Sequence, residues 1–242
     1  MAKPSASDLR ALGRRDPRLG AALRRLPAFP GFPDDAQRTM ATHWDALSRA
    51  IVFQQLATAA ATTIHGRVCA LSGGRFPRPP AFLAHTDAAL RACGLSRNKT
   101  EALRDLASRI SERRLVLSRL DRLDDEAIVE QLIAVRGIGE WSAQMFLLFR
   151  LGRLDVGASG DLGVREGLRR LDGLEERPTP KAALARMESW RPLRSVGCWA
   201  MWRLVDAERR AASEERARSE ASPKARSTTV TAQRRARRPK QS

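Results

Sequence analysis

Apolar residues recur along this chain at helical spacing, and no segment alternates apolar and polar positions with a period of two. The pattern predicts an all-α protein. Residues 7–26 read as two short helices, the first capped by Ser7 or Asp8 and the second opened by Asp16-Pro17, where the missing proline N–H costs nothing. The stretch from Pro27 to Pro33 breaks the pattern. A helix from about Trp44 carries Trp44, Leu47 and Ile51 on one face, and after Phe53-Gln54-Gln55-Leu56 another runs to about Leu71. Past the proline-rich segment from Phe76 to Pro80, the spacing predicts helices over 82–93 and 100–110 with a turn at Gly94 to Lys99. Further helices are predicted over 124–135, 140–149, 162–171 and 181–190, and a last one follows the Trp190 to Trp202 run to about Glu208.

The segment joining the helices over 124–135 and 140–149 organises the rest. An apolar helix end, a hairpin with Gly137 and Gly139, and a new helix from Glu140 make a turn whose backbone amides lack intrahelical partners. Gly137, Ile138 and Gly139 are therefore expected to hold an anion, with the dipole of the following helix adding positive potential. A phosphate held this way is gripped through the main chain without any base being read. A Gly-rich connection between two helices, with no ligand at all, fits the same residues.

Composition adds charge to this picture. A chain of 242 residues, 43% hydrophobic, can bury a substantial core. Its formal net charge of +17 points to a polyanionic partner, nucleic acid first. Residues 209–242 hold eleven Lys/Arg against three Asp/Glu, with Val230 their only large apolar side chain, so this tail is expected to be basic and disordered. Charges interrupt the first 25 residues, and the longest uncharged run, Ala50 to Gly66, is too polar and short to span a bilayer. A cytoplasmic protein without a membrane partner is the expectation. Cys69, Cys93 and Cys198 are too few and too scattered for a four-thiolate iron-sulfur cluster, and are expected to be reduced and buried. His43, His65 and His85 share no ligand spacing, which disfavours zinc hydrolysis.

Three ordered stretches, at residues 50–58, 132–165 and 190–202, carry a resemblance to a known family. They contain Phe53-Gln54-Gln55-Leu56-Ala57-Thr58, the glycine hairpin with Asp161 placed 22 residues after Gly139, and Trp190-Arg191-Pro192-Leu193-Arg194-Ser195. Over roughly residues 7–206 the sequence resembles the helix-hairpin-helix/Gly-Pro-Asp DNA glycosylases, in particular the 3-methyladenine DNA glycosylase II branch. The resemblance implies two packed helical subdomains, about 45–150 and 1–44 plus 151–208, with a cleft between them. It also implies a monomer that acts on double-stranded DNA containing damaged bases, flips out an alkylated purine and hydrolyses its N-glycosidic bond, leaving an abasic site.

No cofactor is required by this resemblance. It makes Asp161 the catalytic carboxylate, Trp141, Met145 and Trp202 the base pocket, and Gln55 the wedge that fills the vacated stack. Lys99, in Leu95-Ser96-Arg97-Asn98-Lys99, would join the hairpin amides on phosphate. Relatives hold a monovalent cation on hairpin carbonyls, here those of Ile133, Val135 and Ile138. The lysine with which bifunctional relatives cleave the strand falls at Trp141, so base release without scission is expected. Plainer roles exist beside these: a helix cap for Asp161 and for Gln55, core packing for the tryptophans, a solvated charge for Lys99. The loop before Asp161 lacks the family's proline, having Ala158 and Ser159, and no second acidic residue precedes the aspartate. That departure bears on the loop's stiffness and not on its carboxylate. Two alternatives stay open: a non-catalytic DNA-binding protein that keeps the hairpin, and a glycosylase for other damaged purines such as hypoxanthine or ethenoadenine.

Overall fold

The computed structural model describes residues 3–32 and 40–221, and all regular structure among them is helical. Helix α1 (Ala6–Arg15) opens with a capping box in which Ser5 Oγ accepts the Asp8 amide at 3.2 Å and the Asp8 carboxylate accepts the Ser5 amide at 2.9 Å. The cap is therefore Ser5, ahead of the expected Ser7 or Asp8. Helix α2 (Pro17–Arg25) starts as predicted, with Asp16 accepting the Leu19 amide and Pro17 in the first turn. A second capping box, Thr42 with Asp45, begins α3 (His43–Phe53), which buries Trp44, Leu47 and Ile51. Helix α4 (Thr58–Ala70) follows after a four-residue turn, Gln54 to Ala57.

The single helix expected over 82–93 is two, α5 (Pro79–Ala84) and α6 (Asp87–Ala92). Thr86 accepts the Ala89 amide at 3.2 Å and so starts a new helix, while His85 before it is extended. Next come α7 (Arg97–Ser111), capped by Ser96, then α8 (Asp125–Ile133), capped by Asp124, and α9 (Glu140–Phe149). The remaining helices are α10 (Leu162–Asp172), α11 (Pro180–Met187) and α12 (Arg194–Ala221).

These helices pack as two groups. In one, α3 lies against α4, α7 and α9, with α5 and α6 on α7 and α8 on α9. In the other, α10 runs along α12 and touches α2 and α11, while α1 closes on α2. Aromatic rings join the groups: Phe29 meets Trp199 and Phe32 edge-on, and Phe32 meets Phe149, at centroid distances of 5.2–5.3 Å.

Helix α12 runs well past the expected end near Glu208. Residues 207–218 are exposed; Glu208 still pairs with Arg170 of α10 at 2.7 Å, and beyond it the Ala, Glu and Arg propensity and the four-residue spacing of Arg210 with Glu214 and Glu214 with Arg218 favour the helix. The expectation of disorder is thus corrected for residues 209–221; the rest of it, for 222–242, lies outside the described residues. Cys93 and Cys198 are buried and Cys69 is partly so, all unbridged. Burial pushes the Cys198 thiol up to about 12, which keeps it an inert packing group. No helix among the described residues is long and apolar enough to cross a membrane.

Candidate active site

The hairpin between α8 and α9 is shaped by Gly137. Its φ of +78° suits glycine, and a Cβ there would stand 3.0 Å from the Ala102 Cβ of α7. The Ile138 amide closes the turn by donating to the Val135 carbonyl at 3.1 Å, and its side chain is buried. This corrects one expectation: Ile138 contributes to the turn, and its N–H is already committed. The exposed glycines remain. Gly139 is the N-cap of α9 and supplies no side-chain acceptor, so the first-turn amides of that helix stay open to an anion.

Lys99 is occupied differently from the expectation of a phosphate contact. Its ammonium donates to the Val52 carbonyl at 2.6 Å and the Gln54 carbonyl at 2.8 Å, closing the C-terminal end of α3, and burial holds it below the usual lysine range. Gln54 in turn donates from Nε2 to the Gly137 carbonyl at 3.0 Å. Lys99 and Gln54 therefore lock the turn after α3 to the hairpin. At the tip of that turn Gln55 is exposed and has a φ of +56°, a conformation costly for a residue with a side chain. Leu56 beside it is 39% exposed. Sequence reasoning passed over Leu56, although an apolar residue between two helices, off the face of either, was the available signal. Helix α4 after this turn also begins without a side-chain cap.

Asp161 ends the loop from Asp155 and caps α10. Its Oδ1 accepts the Val164 amide at 2.8 Å and the Trp202 indole N–H at 2.8 Å, and its Oδ2 accepts the Trp141 indole N–H at 2.7 Å. The helix-cap role and the indole contacts coexist on one carboxylate. What stiffens the loop without a proline is the start of α12. Arg194 forks onto Asp155 through Nε and Nη2, at 2.8 Å and 3.0 Å, and also donates to the Asp155 carbonyl. Ser195 Oγ accepts the Val156 amide at 3.0 Å and donates to the Arg153 carbonyl at 2.8 Å. Ala158 is fully buried, and its carbonyl accepts the Asp161 amide. Trp190 of the same terminal motif is anchored by donating to the buried Asp16 carboxylate at 2.6 Å.

Between α3 and α9 lies a cleft of about 600 Å³. Trp141, Met145, Phe53, Phe146 and Phe149 give it an aromatic and thioether wall, and Gln54 and Gln55 stand at its rim. Trp141 is 48% exposed and reaches from this cleft to Asp161. Trp202 does not line the cleft; it stacks on Phe149, with centroids 5.5 Å apart and planes inclined by 25°. Of the three expected pocket residues, the structure brings Trp141 and Met145 to the cavity and puts Trp202 behind it. Of the three hairpin carbonyls expected to hold a monovalent cation, Ile133 still belongs to α8 and Val135 already accepts the Ile138 amide.

Residues 48–192 match the family described as HhH-GPD superfamily base excision DNA repair protein. A DNA-3-methyladenine glycosylase 1 of Schizosaccharomyces pombe is 35% identical over 162 residues, spanning 66% of this chain and 71% of that protein. Among solved structures, a DNA-3-methyladenine glycosidase from Bacillus halodurans superposes with a TM-score of 0.74 at 32% identity, covering 84% of this chain and 90% of the other. A Schizosaccharomyces pombe 3-methyladenine DNA glycosylase in complex with abasic DNA gives a TM-score of 0.69 at 30% identity, with 81% and 95% covered.

Proposed function

The chain belongs to the HhH-GPD superfamily of base excision DNA repair proteins, and from that membership we propose that it removes alkylated purines of the 3-methyladenine kind from duplex DNA by hydrolysing the N-glycosidic bond. The observation that carries this reading is the Asp161 carboxylate, held by two indole N–H donors at the edge of an aromatic cleft. Open amides at Gly139 and the start of α9 grip a phosphate next to the lesion. Gln55 and Leu56 enter the stack as the base leaves it; the amide hydrogen-bonds the orphaned partner, and the leucine fills apolar space without stranding a polar group.

Inside the cleft, the electron-rich faces of Trp141 and the phenylalanines suit a flat purine that bears positive charge. Cleavage sends the electron pair of the C1′–N bond to the base and leaves cationic character on the sugar. The Asp161 anion stabilises that charge until water adds to C1′ and loses its proton. No amine is needed in this sequence of events. Since Trp141 stands where bifunctional relatives carry lysine, the strand should stay intact, and borohydride should trap no protein-DNA adduct. Incubation of a lesion-bearing duplex, with and without alkali, checks this: breaks should appear only after alkali, and breaks without it, or a trapped adduct, would replace the hydrolytic reading with a lyase.

The wedge is tested by Leu56→Ala and Gln55→Ala. Each is expected to slow excision from duplex DNA by about tenfold, because flipping a stacked base costs a few kcal/mol that the inserted side chain offsets. The same lesion in a single strand should be excised at the wild-type rate. Equal slowing on both substrates would place these residues in the chemistry or the fold instead.

A further inference from the structure

Trp202 is half-buried and stands apart from the residues that line the cleft. One face is stacked on Phe149, and it is Phe149 that lines the cleft. Its N–H is spent on Asp161 Oδ1, the oxygen that also accepts the Val164 amide. From this arrangement we propose that Trp202 is the positioning residue of the carboxylate, fixing its rotation from behind, and not part of the surface on which the flipped base stacks. The proposal rests on the reading of Asp161 as the catalytic anion.

The chain is cut to make this contact. A Cβ at Gly163 would lie 2.9 Å from the Trp202 Cδ1 and 3.1 Å from Asp161 Oδ1, so any side chain there would push the indole and carboxylate apart. One turn further on, a Cβ at Gly167 would meet the Met201 Cβ at 2.4 Å and its Cα at 2.6 Å. The two glycines share a face of α10, and together they let α12 approach closely enough for Trp202 to reach the N-cap. Without Trp202, Oδ1 would be held by the Val164 amide alone and Oδ2 only by the half-exposed Trp141, leaving the carboxylate more freedom about its last torsion. A second donor on the same oxygen removes that freedom, and Oδ2 is then turned to Trp141 and the cleft side.

Trp202→Phe tests this, since it keeps a ring against Phe149 and deletes the N–H. Single-turnover excision should fall by about tenfold, the scale of losing one hydrogen bond to a charged group. Binding to a duplex with an abasic-site analogue should be unchanged. The discriminating measurement is the same substitution in an Asp161→Asn background. With the carboxylate gone there is nothing left to orient, so the further loss there should be less than about twofold. Gly163→Ala, which displaces the indole from the other side, should show the same non-additivity, and it serves if Trp202→Phe fails to fold. Equal losses in both backgrounds, or wild-type excision by Trp202→Phe, would overturn the proposal. Wild-type excision by Asp161→Asn alone would instead remove the catalytic reading of Asp161, and the two failures are told apart by that single variant.

Discussion

Asp161→Asn is expected to lower single-turnover base release by about 10²-fold or more, the scale of removing one strong electrostatic contribution to a developing cation. Asparagine matches aspartate in size and can still accept the Val164 amide at 2.8 Å, so α10 keeps its cap and stability should fall by only about 1 kcal/mol. What changes is charge and donor balance. The amide has one oxygen for three donors, and its NH₂ group faces an indole N–H from Trp141 or Trp202. Binding to abasic-analogue DNA should persist, because the hairpin amides and the wedge are untouched. Thermal melting, binding and excision measured on one preparation separate the roles. Were Asp161 only a helix cap, excision would continue at the wild-type rate.

The second large effect concerns the lesion. The residues that line the cleft include no carboxylic acid and no imidazole, and their polar groups are Gln54, Gln55, Ser142 and Arg150. None of these is an acid able to give a proton to a departing purine at neutral pH. A base alkylated at N3 or N7 already carries the positive charge that makes it a good leaving group, whereas hypoxanthine must be protonated as it goes. General-acid assistance is worth about 10²-fold to 10⁴-fold, so excision of 3-methyladenine should exceed that of hypoxanthine from the same sequence context by about 10²-fold or more. Rate constants measured on both duplexes decide it. Comparable rates would mean that a proton donor outside the cleft lining, or an ordered water, serves neutral purines.

Local signals carried much of the fold and part of the site. Asp16-Pro17 announced α2 because a capping side chain and a fixed φ act within one turn. The bounds of α9 followed from Gly139 and the apolar run to Phe149. Thr86-Asp87 held an equally local signal that outweighed the apolar spacing over 82–93 and split that helix. The extension of α12 was hidden by reading charge as disorder; its charges are mixed in sign and at helical spacing, unlike the residues after them. In the site, the hairpin and Asp161 stood out by motif. Lys99 and Trp202 stood out too, but as a phosphate contact and a pocket wall; their actual partners did not, because packing alone brings them together: Gln54 reaches Gly137, Lys99 reaches Val52, and Trp202 reaches Asp161 across the α10-α12 contact. Side chains that serve the inside of the fold look, in sequence, like side chains that could serve a ligand.

Hydrolysis of the glycosidic bond is tested by chromatographic detection of free base released from methylated duplex DNA, under single turnover with saturating protein. Stoichiometric free 3-methyladenine is expected, with an unbroken strand carrying one abasic site for each base released. Tight binding of the same duplex with every methylated base still attached would contradict it, and would make the chain a DNA-binding protein that kept the hairpin and the carboxylate without the chemistry.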